Sequence, residues 1–250
     1  EIQVHLEDRL MEAKILNNLA GCFNQTEDPE YAEKLLLRSI EIKESLEDGK
    51  SLAYSYAEMG NAYLIKGDIS KSIDSFQKSL GQFTYYKMDY FVCRILVLLS
   101  QAKMDIGEFK DAIRYLDIAR PICIDLNESL MMGKLFTYEA KYYENIGNYN
   151  SSLECYRNSI EYFQEGELYR PAVFTIISMA MLYIRQGLYK EAQKLYSKAE
   201  SILKRISEPI AAISITINKI YLDSLQGNAK ENECDSLLSE LDNVDFKEFN

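Results

Sequence analysis

Residues 60–80, "GNAYLIKGDISKSIDSFQKSL", decide the fold of this chain. Small and aromatic residues recur in this stretch at spacings of three and four, which place them on one stripe of a helix. Gly67 separates two such stripes, and glycine ends a helix in a left-handed turn at little cost. The stretch therefore predicts two helices that pack closely around one turn.

The same pattern recurs along the chain with a period of 40 residues. Steps of that length from Gly67 lead to Gly107, Gly147, Gly187 and Gly227. A small residue stands seven positions before residues 27, 67, 107, 147 and 187, and small, large and small residues follow the first four glycines at positions five, nine and twelve. Small residues let helix backbones approach, and the large residue fills the gap. The period indicates an array of helical hairpins.

Residues 56–80, "YAEMGNAYLIKGDISKSIDSFQKSL", resemble a tetratricopeptide repeat, and the resemblance covers essentially the whole chain in about six units. The resemblance implies an all-α fold, a right-handed superhelical α-solenoid of about six helical hairpins whose first helices line a concave groove. The period is longer than the usual one of about 34 residues. In this respect the chain is similar to bacterial sensors, regulators and peptide receptors with such repeats.

We predict one repeat array over residues 1–230, followed at 231–250 by an acidic capping helix and a frayed tail. Asp223 and Asn232 depart from the repeat, as expected of a terminal cap. Pro171 and Pro209 can open helices, whereas Pro121 falls inside an expected helix and predicts an early end or a kink. The expected units are at about 10–49, 50–89, 90–129, 130–169, 170–209 and 210–241.

Composition argues against several classes of partner. The net charge is −11 and the chain has no stripe of Lys and Arg, which argues against binding nucleic acid. No apolar run reaches the roughly 20 residues of a membrane helix. Five scattered cysteines without metal-ligand spacing predict small buried hydrophobic residues and a reducing compartment. We expect a cytoplasmic protein, or a periplasmic sensor domain if a signal peptide was trimmed before Glu1.

Nothing in the sequence indicates catalysis. His5 is the only histidine, and no nucleophile or phosphate-loop motif occurs. The sequence therefore predicts a non-enzymatic protein that needs neither a cofactor nor a metal.

The candidate ligand site lies on the first helices, where rotation from the buried stripe identifies the residues that face the groove. Asn61 and Gln101 can donate to and accept from an extended peptide backbone. Three cations can attract a carboxylate, and an apolar end that includes Ile177 and Ile184 can bind apolar groups. The predicted groove residues are Tyr54, Asn61, Arg94, Gln101, Lys134, Lys141, Phe174, Met181 and Arg185.

These features predict a scaffold that binds a peptide or protein, as the regulatory or sensory part of a larger bacterial signalling protein. Two alternatives remain open. One is a self-associating module that forms a homodimer through the apolar face of the fifth unit. The other is the receptor domain for a peptide pheromone.

Overall fold

A computed structural model describes residues 2–25, 28–206 and 208–227. All regular structure in these ranges is helical, which confirms the all-α prediction. Five helical hairpins and one further helix follow one another in these ranges. The helices are α1 (Ile2–Gln25), α2 (Pro29–Ser45), α3 (Gly49–Lys66), α4 (Ile69–Tyr85), α5 (Asp89–Asp105), α6 (Phe109–Leu126), α7 (Ser129–Asn145), α8 (Tyr149–Glu165), α9 (Tyr169–Arg185), α10 (Tyr189–Leu203) and α11 (Pro209–Leu225).

The chain divides into two compact units, unit 1 (Glu1–Asn127) and unit 2 (Glu128–Asn250). Unit 1 contains three hairpins, α1–α2, α3–α4 and α5–α6. Unit 2 contains α7–α8, α9–α10 and α11. We call the odd-numbered helices first helices and the even-numbered ones second helices. The consecutive packing of hairpins is that of an α-solenoid of tetratricopeptide type.

A glycine closes the turn inside the second to fifth hairpins and another follows α11, as the period predicts. Gly67, Gly107, Gly147, Gly187 and Gly227 have φ between 73° and 78°. At the first of them, the amide of Gly67 donates to the carbonyl of Leu64 (3.0 Å) and the amide of Asp68 donates to the carbonyl of Tyr63 (2.9 Å). These bonds satisfy carbonyls that the end of α3 would leave unpaired.

A second set of left-handed residues follows the second helices. Glu47, Lys87, Asn127 and Glu167 have φ between 48° and 55°, and they also stand 40 residues apart. The sequence pattern did not predict these turns, because three of the four side chains are ones that the left-handed region disfavours.

Close contact between helices depends on the small residues. The hydroxyls of Ser39, Ser79 and Ser159 donate to backbone carbonyls of the facing first helix, at 2.7, 2.8 and 2.8 Å. A Cβ atom added to Gly60 would lie 2.4 Å from the ring of Phe76. The small residues therefore let helices approach to hydrogen-bonding distance.

Two expectations need correction. Of the early end or kink expected at Pro121, the early end is wrong, because helix α6 continues to Leu126. Pro121 and Asp117, whose carbonyl the proline leaves unpaired, are both exposed, so solvent can satisfy that carbonyl. The cysteines are not all buried and free. Cys93 and Cys123 form a disulfide between α5 and α6, and Cys22 is exposed.

The spacing of 30 residues between Cys93 and Cys123 carries no motif. The two cysteines face each other across the hairpin α5–α6. Sequence spacing alone does not indicate this pairing. The expected capping helix at 231–250, with Asn232, lies outside the described residues.

Candidate functional site

Unit 1 contains a pocket of about 500 Å³ on its first helices. It brings together three of the predicted site residues, Asn61 of α3 with Arg94 and Gln101 of α5. Its lining also includes residues that the rotation argument did not select, Asn24 and Glu58. The complete lining is Gly21, Asn24, Glu58, Asn61, Leu64, Ile65, Arg94 and Gln101.

Glu58 organises the polar groups of this pocket. Asn61 Nδ2 donates to Glu58 Oε2 at 3.3 Å, and Arg94 Nη2 lies 3.8 Å from Glu58 Oε1. The predicted attraction of Arg94 for a ligand carboxylate is therefore partly met within the protein. The pocket offers amide groups beside a carboxylate–guanidinium pair rather than a lone cation.

Asn24 is the most deeply placed polar residue of the pocket, with only 8% of its surface exposed. Its Nδ2 donates to the backbone carbonyl of Glu58 at 3.1 Å. Its Oδ1 is buried and accepts no hydrogen bond from any residue of the described ranges. An unpaired buried acceptor costs roughly 1–3 kcal/mol. A ligand N–H group bound in this pocket would supply the missing donor.

The sequence gives only a weak signal for Asn24. In later repeats the equivalent position holds Leu64, Met104, Glu144, Ile184 and Ser224, so it alternates between apolar and polar residues. Burial distinguishes Asn24, because a buried amide is uncommon and needs hydrogen-bond partners.

Unit 2 contains an apolar pocket of about 300 Å³, formed by α7 and α9 with Phe163 of α8 at its base. It includes the predicted residues Lys134 and Phe174. The hydroxyls of Thr137 and Thr175 each donate to a backbone carbonyl four residues earlier, at 2.9 Å, so the walls present mainly carbon. The complete lining is Lys134, Thr137, Tyr138, Phe163, Arg170, Pro171, Phe174 and Thr175.

The other four predicted residues lie outside these two pockets. Tyr54 packs its ring edge-on against two phenylalanines of unit 1, and burial raises its pKa. Lys141 Nζ lies 5.0 Å from the ring centroid of Tyr138. Met181 is half-buried against the core of unit 2. Arg185 forms an ion pair with Glu144.

The expected apolar patch of the fifth hairpin is largely part of the core. Ile177 and Ile184 are only 7% and 4% exposed and pack in the core of unit 2. Phe174 and Met181 remain half-buried. The proposed dimer surface therefore lacks two of its four apolar members, because the buried stripe of α9 is wider than the repeat pattern suggested.

A further groove of about 540 Å³ in unit 2 lies mainly between α8 and α10 and contains none of the predicted site residues. In the part of the chain that the structure describes, no helix is long and apolar enough to cross a membrane. Across those same residues, no three potential metal ligands come together.

Comparison with known proteins agrees with this geometry. Residues 11–84 match the family model described as tetratricopeptide repeat. That range covers the first two hairpins, and the fold extends the same architecture through the later ones. The chain is thus an α-solenoid of tetratricopeptide type, and the resemblance stated from its sequence is confirmed. No curated protein sequence matches it.

Three solved structures illustrate the shared fold. A Rap protein complexed with competence and sporulation factor has a TM-score of 0.80 at 16% identity, covering 92% of this chain and 64% of that one. A STAND protein with a tetratricopeptide repeat sensor, from Pyrococcus horikoshii, has a TM-score of 0.69 at 21% identity, covering 93% of this chain and 36% of that one. BtubC from P. vanneervenii has a TM-score of 0.67 at 14% identity, covering 96% of this chain and 93% of that one. The chain therefore spans about two thirds of the length of the Rap protein and about a third of the length of the STAND protein.

Proposed function

We propose that this chain is a non-enzymatic scaffold that binds a peptide or protein partner on the face formed by its first helices. The observation that carries the proposal is Asn24, whose buried Oδ1 accepts no hydrogen bond from a described residue and lines an open pocket. Natural proteins pair their buried polar groups in the great majority of cases. Four buried side-chain atoms of the described residues have no hydrogen-bond partner, those of Asn24, Ser100, Ser152 and Tyr196, and of these residues Asn24 is the one that lines a pocket described above. A partner that supplies a donor would account for the unpaired oxygen of Asn24.

The chemistry of the unit 1 pocket suits an extended peptide backbone. Each peptide unit presents one N–H donor and one C=O acceptor, and amide side chains can serve both. Asn24 offers an acceptor, while Asn61 and Gln101 are amides on two adjacent first helices. Arg94 beside Glu58 can exchange its internal partner for a carboxylate of the ligand.

The proposal of a regulatory or sensory role is supported by the solved structures. One is a Rap protein bound to a competence and sporulation factor, and another belongs to a signal transduction ATPase with a repeat sensor. We propose that this chain is likewise part of a larger bacterial signalling protein. A receptor for a peptide signal is the second candidate, favoured by the Rap comparison.

The non-enzymatic assignment rests on the groups in the two pockets. The lining of the unit 1 pocket contains amides and one ion pair, and that of the unit 2 pocket contains hydroxyls bonded to their own helix. Neither lining includes a histidine or a cysteine. Nucleophilic or acid–base chemistry would need an activated group with a positioned partner.

Selection from a random-sequence peptide library tests the proposal. Recovered peptides are titrated into the wild-type chain and into Arg94→Glu, and we expect affinity to fall roughly tenfold or more, as for the loss of a central polar contact. Arg114→Glu is the control, because Arg114 lies exposed on the second helix α6. Failure to recover any binding peptide, or equal affinity for wild type and Arg94→Glu, would contradict the proposed site.

A further inference from the structure

The two units place different side chains at two equivalent positions of the repeat, beside a phenylalanine that both units share. In unit 1, Tyr54 and Phe91 pack on Phe83. The ring of Tyr54 lies edge-on to both phenylalanines, with centroids 5.0 and 4.9 Å away, and the two phenylalanine rings stack at 4.9 Å. These three rings fill the space between α3 and α5 above α4.

Residues 80 positions further on occupy the same places in unit 2. Phe163 corresponds to Phe83 and keeps its buried position. Lys134 stands in place of Tyr54, however, and Pro171 in place of Phe91. The two rings that cover Phe83 in unit 1 thus have no counterpart over Phe163. The apolar pocket of about 300 Å³ lies at this position.

We propose that this pocket, hereafter the aromatic pocket, binds an aromatic side chain of Phe or Tyr size supplied by the partner. The proposal rests on the proposed function and specifies one residue of the ligand. Unit 1 is the internal template, because it shows that the same frame of helices accepts rings edge-on above its central phenylalanine. Phe163, Phe174 and Tyr138 supply ring surfaces to an incoming ring, and aromatic pairs favour such edge-to-face contacts.

The charges of the aromatic pocket add a second requirement. Its eight lining residues include two cations, Lys134 and Arg170, and no carboxylate. Arg170 is mainly exposed and forms an ion pair with Glu208 at 3.0 Å, so its guanidinium lies at the rim. Arg170 can exchange its internal partner for a carboxylate of the ligand that lies next to the ring. We therefore infer an aromatic residue flanked by Asp or Glu, or placed at the C-terminus of the partner.

The volume of the aromatic pocket is small for a cofactor site. Small-molecule sites occupy about 300–1,000 Å³, so the aromatic pocket lies at the lower limit. It suits one side chain, with the rest of the partner continuing over the protein surface.

The test uses N-acetyl-phenylalanine as a probe, because it carries one ring and one carboxylate. NMR titration of the chain at millimolar probe should shift the signals of Thr137, Tyr138 and Thr175. The variant K134Y/P171F copies unit 1 and fills the pocket, and it should lower probe affinity roughly tenfold or more while keeping the helical circular dichroism. Lys190→Tyr, on the exposed surface of α10 and outside the pocket, should leave affinity unchanged.

Two changes to the probe test separately whether the pocket requires the aromatic ring and whether it requires the carboxylate. Removing its carboxylate, as in N-acetyl-phenylalanine amide, should weaken binding several-fold. Replacing the ring with cyclohexyl should also weaken it, because the edge-to-face contacts are lost. If K134Y/P171F does not fold, Lys134→Tyr alone and Thr137→Phe provide independent ways to fill the pocket.

Absence of shifts at the pocket in the wild type, or equal probe affinity after filling it, would overturn the inference. That failure is distinct from failure of the proposed function. Library peptides that lose affinity in Arg94→Glu but keep it in K134Y/P171F would overturn the aromatic pocket alone. Failure to recover any peptide would overturn the proposed function, while probe binding would still locate the pocket.

Discussion

In unit 1, three aromatic rings fill the place in the repeat where unit 2 has the aromatic pocket. Tyr54, Phe83 and Phe91 pack together in unit 1, whereas Phe163 of unit 2 has Lys134 and Pro171 as the corresponding neighbours. The helices that frame the position are the same in both. Of the eight residues that line the pocket, only Phe163 has the same residue type 80 positions earlier, and the exchanges at Lys134 and Pro171 are the ones that remove a ring from beside the central phenylalanine. Side-chain exchanges on one frame can thus vary binding in a repeat protein without altering its architecture.

The first hairpin provides a third version of the same position. Lys43 stands where Phe83 and Phe163 stand in later repeats, and it is only 2% exposed. Its Nζ donates to Ser55 Oγ at 2.7 Å and approaches Asn17 Oδ1 at 3.5 Å. The same repeat position therefore holds Phe83 packed against two other rings, Phe163 beside a pocket, and Lys43 bonded to hydroxyl and amide groups.

The largest expected effect comes from removing the central ring. Phe83→Ala should cost roughly 3–5 kcal/mol, as for other buried phenylalanines. Phe163→Ala should cost about 1–2 kcal/mol less, because each ring pair that Phe83 makes adds about 0.5–1.5 kcal/mol. Urea unfolding followed by circular dichroism, with hydrogen exchange to assign the loss to a unit, measures both. Equal losses would show that the two positions do not differ in packing.

Lys43 should give the next largest effect. Burial lowers the pKa of Lys43 from 10.5 to about 8, with a smaller opposing contribution from Asp48 and a further lowering by Lys14. The unfolded chain therefore binds more protons between about pH 8 and 10.5, so stability should rise with pH in that window. Lys43→Met should remove the slope and add roughly 2–3 kcal/mol at neutral pH.

Thermal unfolding at several pH values tests the role of Lys43. Lys50→Met, on the exposed surface of α3, is the control that should retain the slope. A wild-type stability that falls between pH 8 and 9.5 would contradict the sign of the linkage.

The close helix contacts should be equally tight in the two units. A Cβ added at Gly60 would lie 2.4 Å from the ring of Phe76, and one added at Gly133 would lie 2.3 Å from the ring of Phe163. Gly60→Ala and Gly133→Ala should each cost about 1–3 kcal/mol through overpacking. Gly81→Ala meets nothing within 4 Å and should instead stabilise α4 by about 0.5–1 kcal/mol. If Gly133→Ala stabilises the chain, the stated packing of Phe163 is wrong.

The smallest effects should come from the turns. Glu167→Gly relieves a left-handed non-glycine residue and should add about 0.5–1 kcal/mol, while Gly147→Ala should lose about 1–2 kcal/mol. Differential scanning calorimetry of both variants compares the two kinds of turn. We expect the two variants to change the free energy of unfolding in opposite directions. A change in the same direction would contradict the attribution of strain to the positive φ of Glu167.

The fold could be predicted from the sequence because its signals are local and repeated. The glycines at the bends and the small residues beside them have one physical role each, and that role recurs at a fixed period. The disulfide of Cys93 with Cys123 and the passage of α6 through Pro121 could not be predicted in this way, since each depends on the surroundings of a single residue.

The site could be predicted only in part, for a related reason. Rotation about the helix axis selected Asn61, Arg94 and Gln101, which share a pocket. It could not show that Tyr54 turns into an aromatic cluster or that Arg185 pairs with Glu144, because side-chain partners vary among repeats. Asn24 could not be singled out from the sequence, because its equivalents in later repeats, such as Leu64 and Glu144, differ in polarity and its burial depends on packing against α3.

Asn24→Leu offers the most direct test of the account, because leucine occupies the equivalent position, Leu64, in the next repeat. The measurement is the affinity of library-selected peptides alongside the free energy of unfolding. We expect affinity to fall roughly tenfold while stability stays equal or rises, since a buried unpaired acceptor is removed together with the ligand contact. Unchanged affinity, with or without a change in stability, would contradict the claim that Asn24 is placed there to bind a partner.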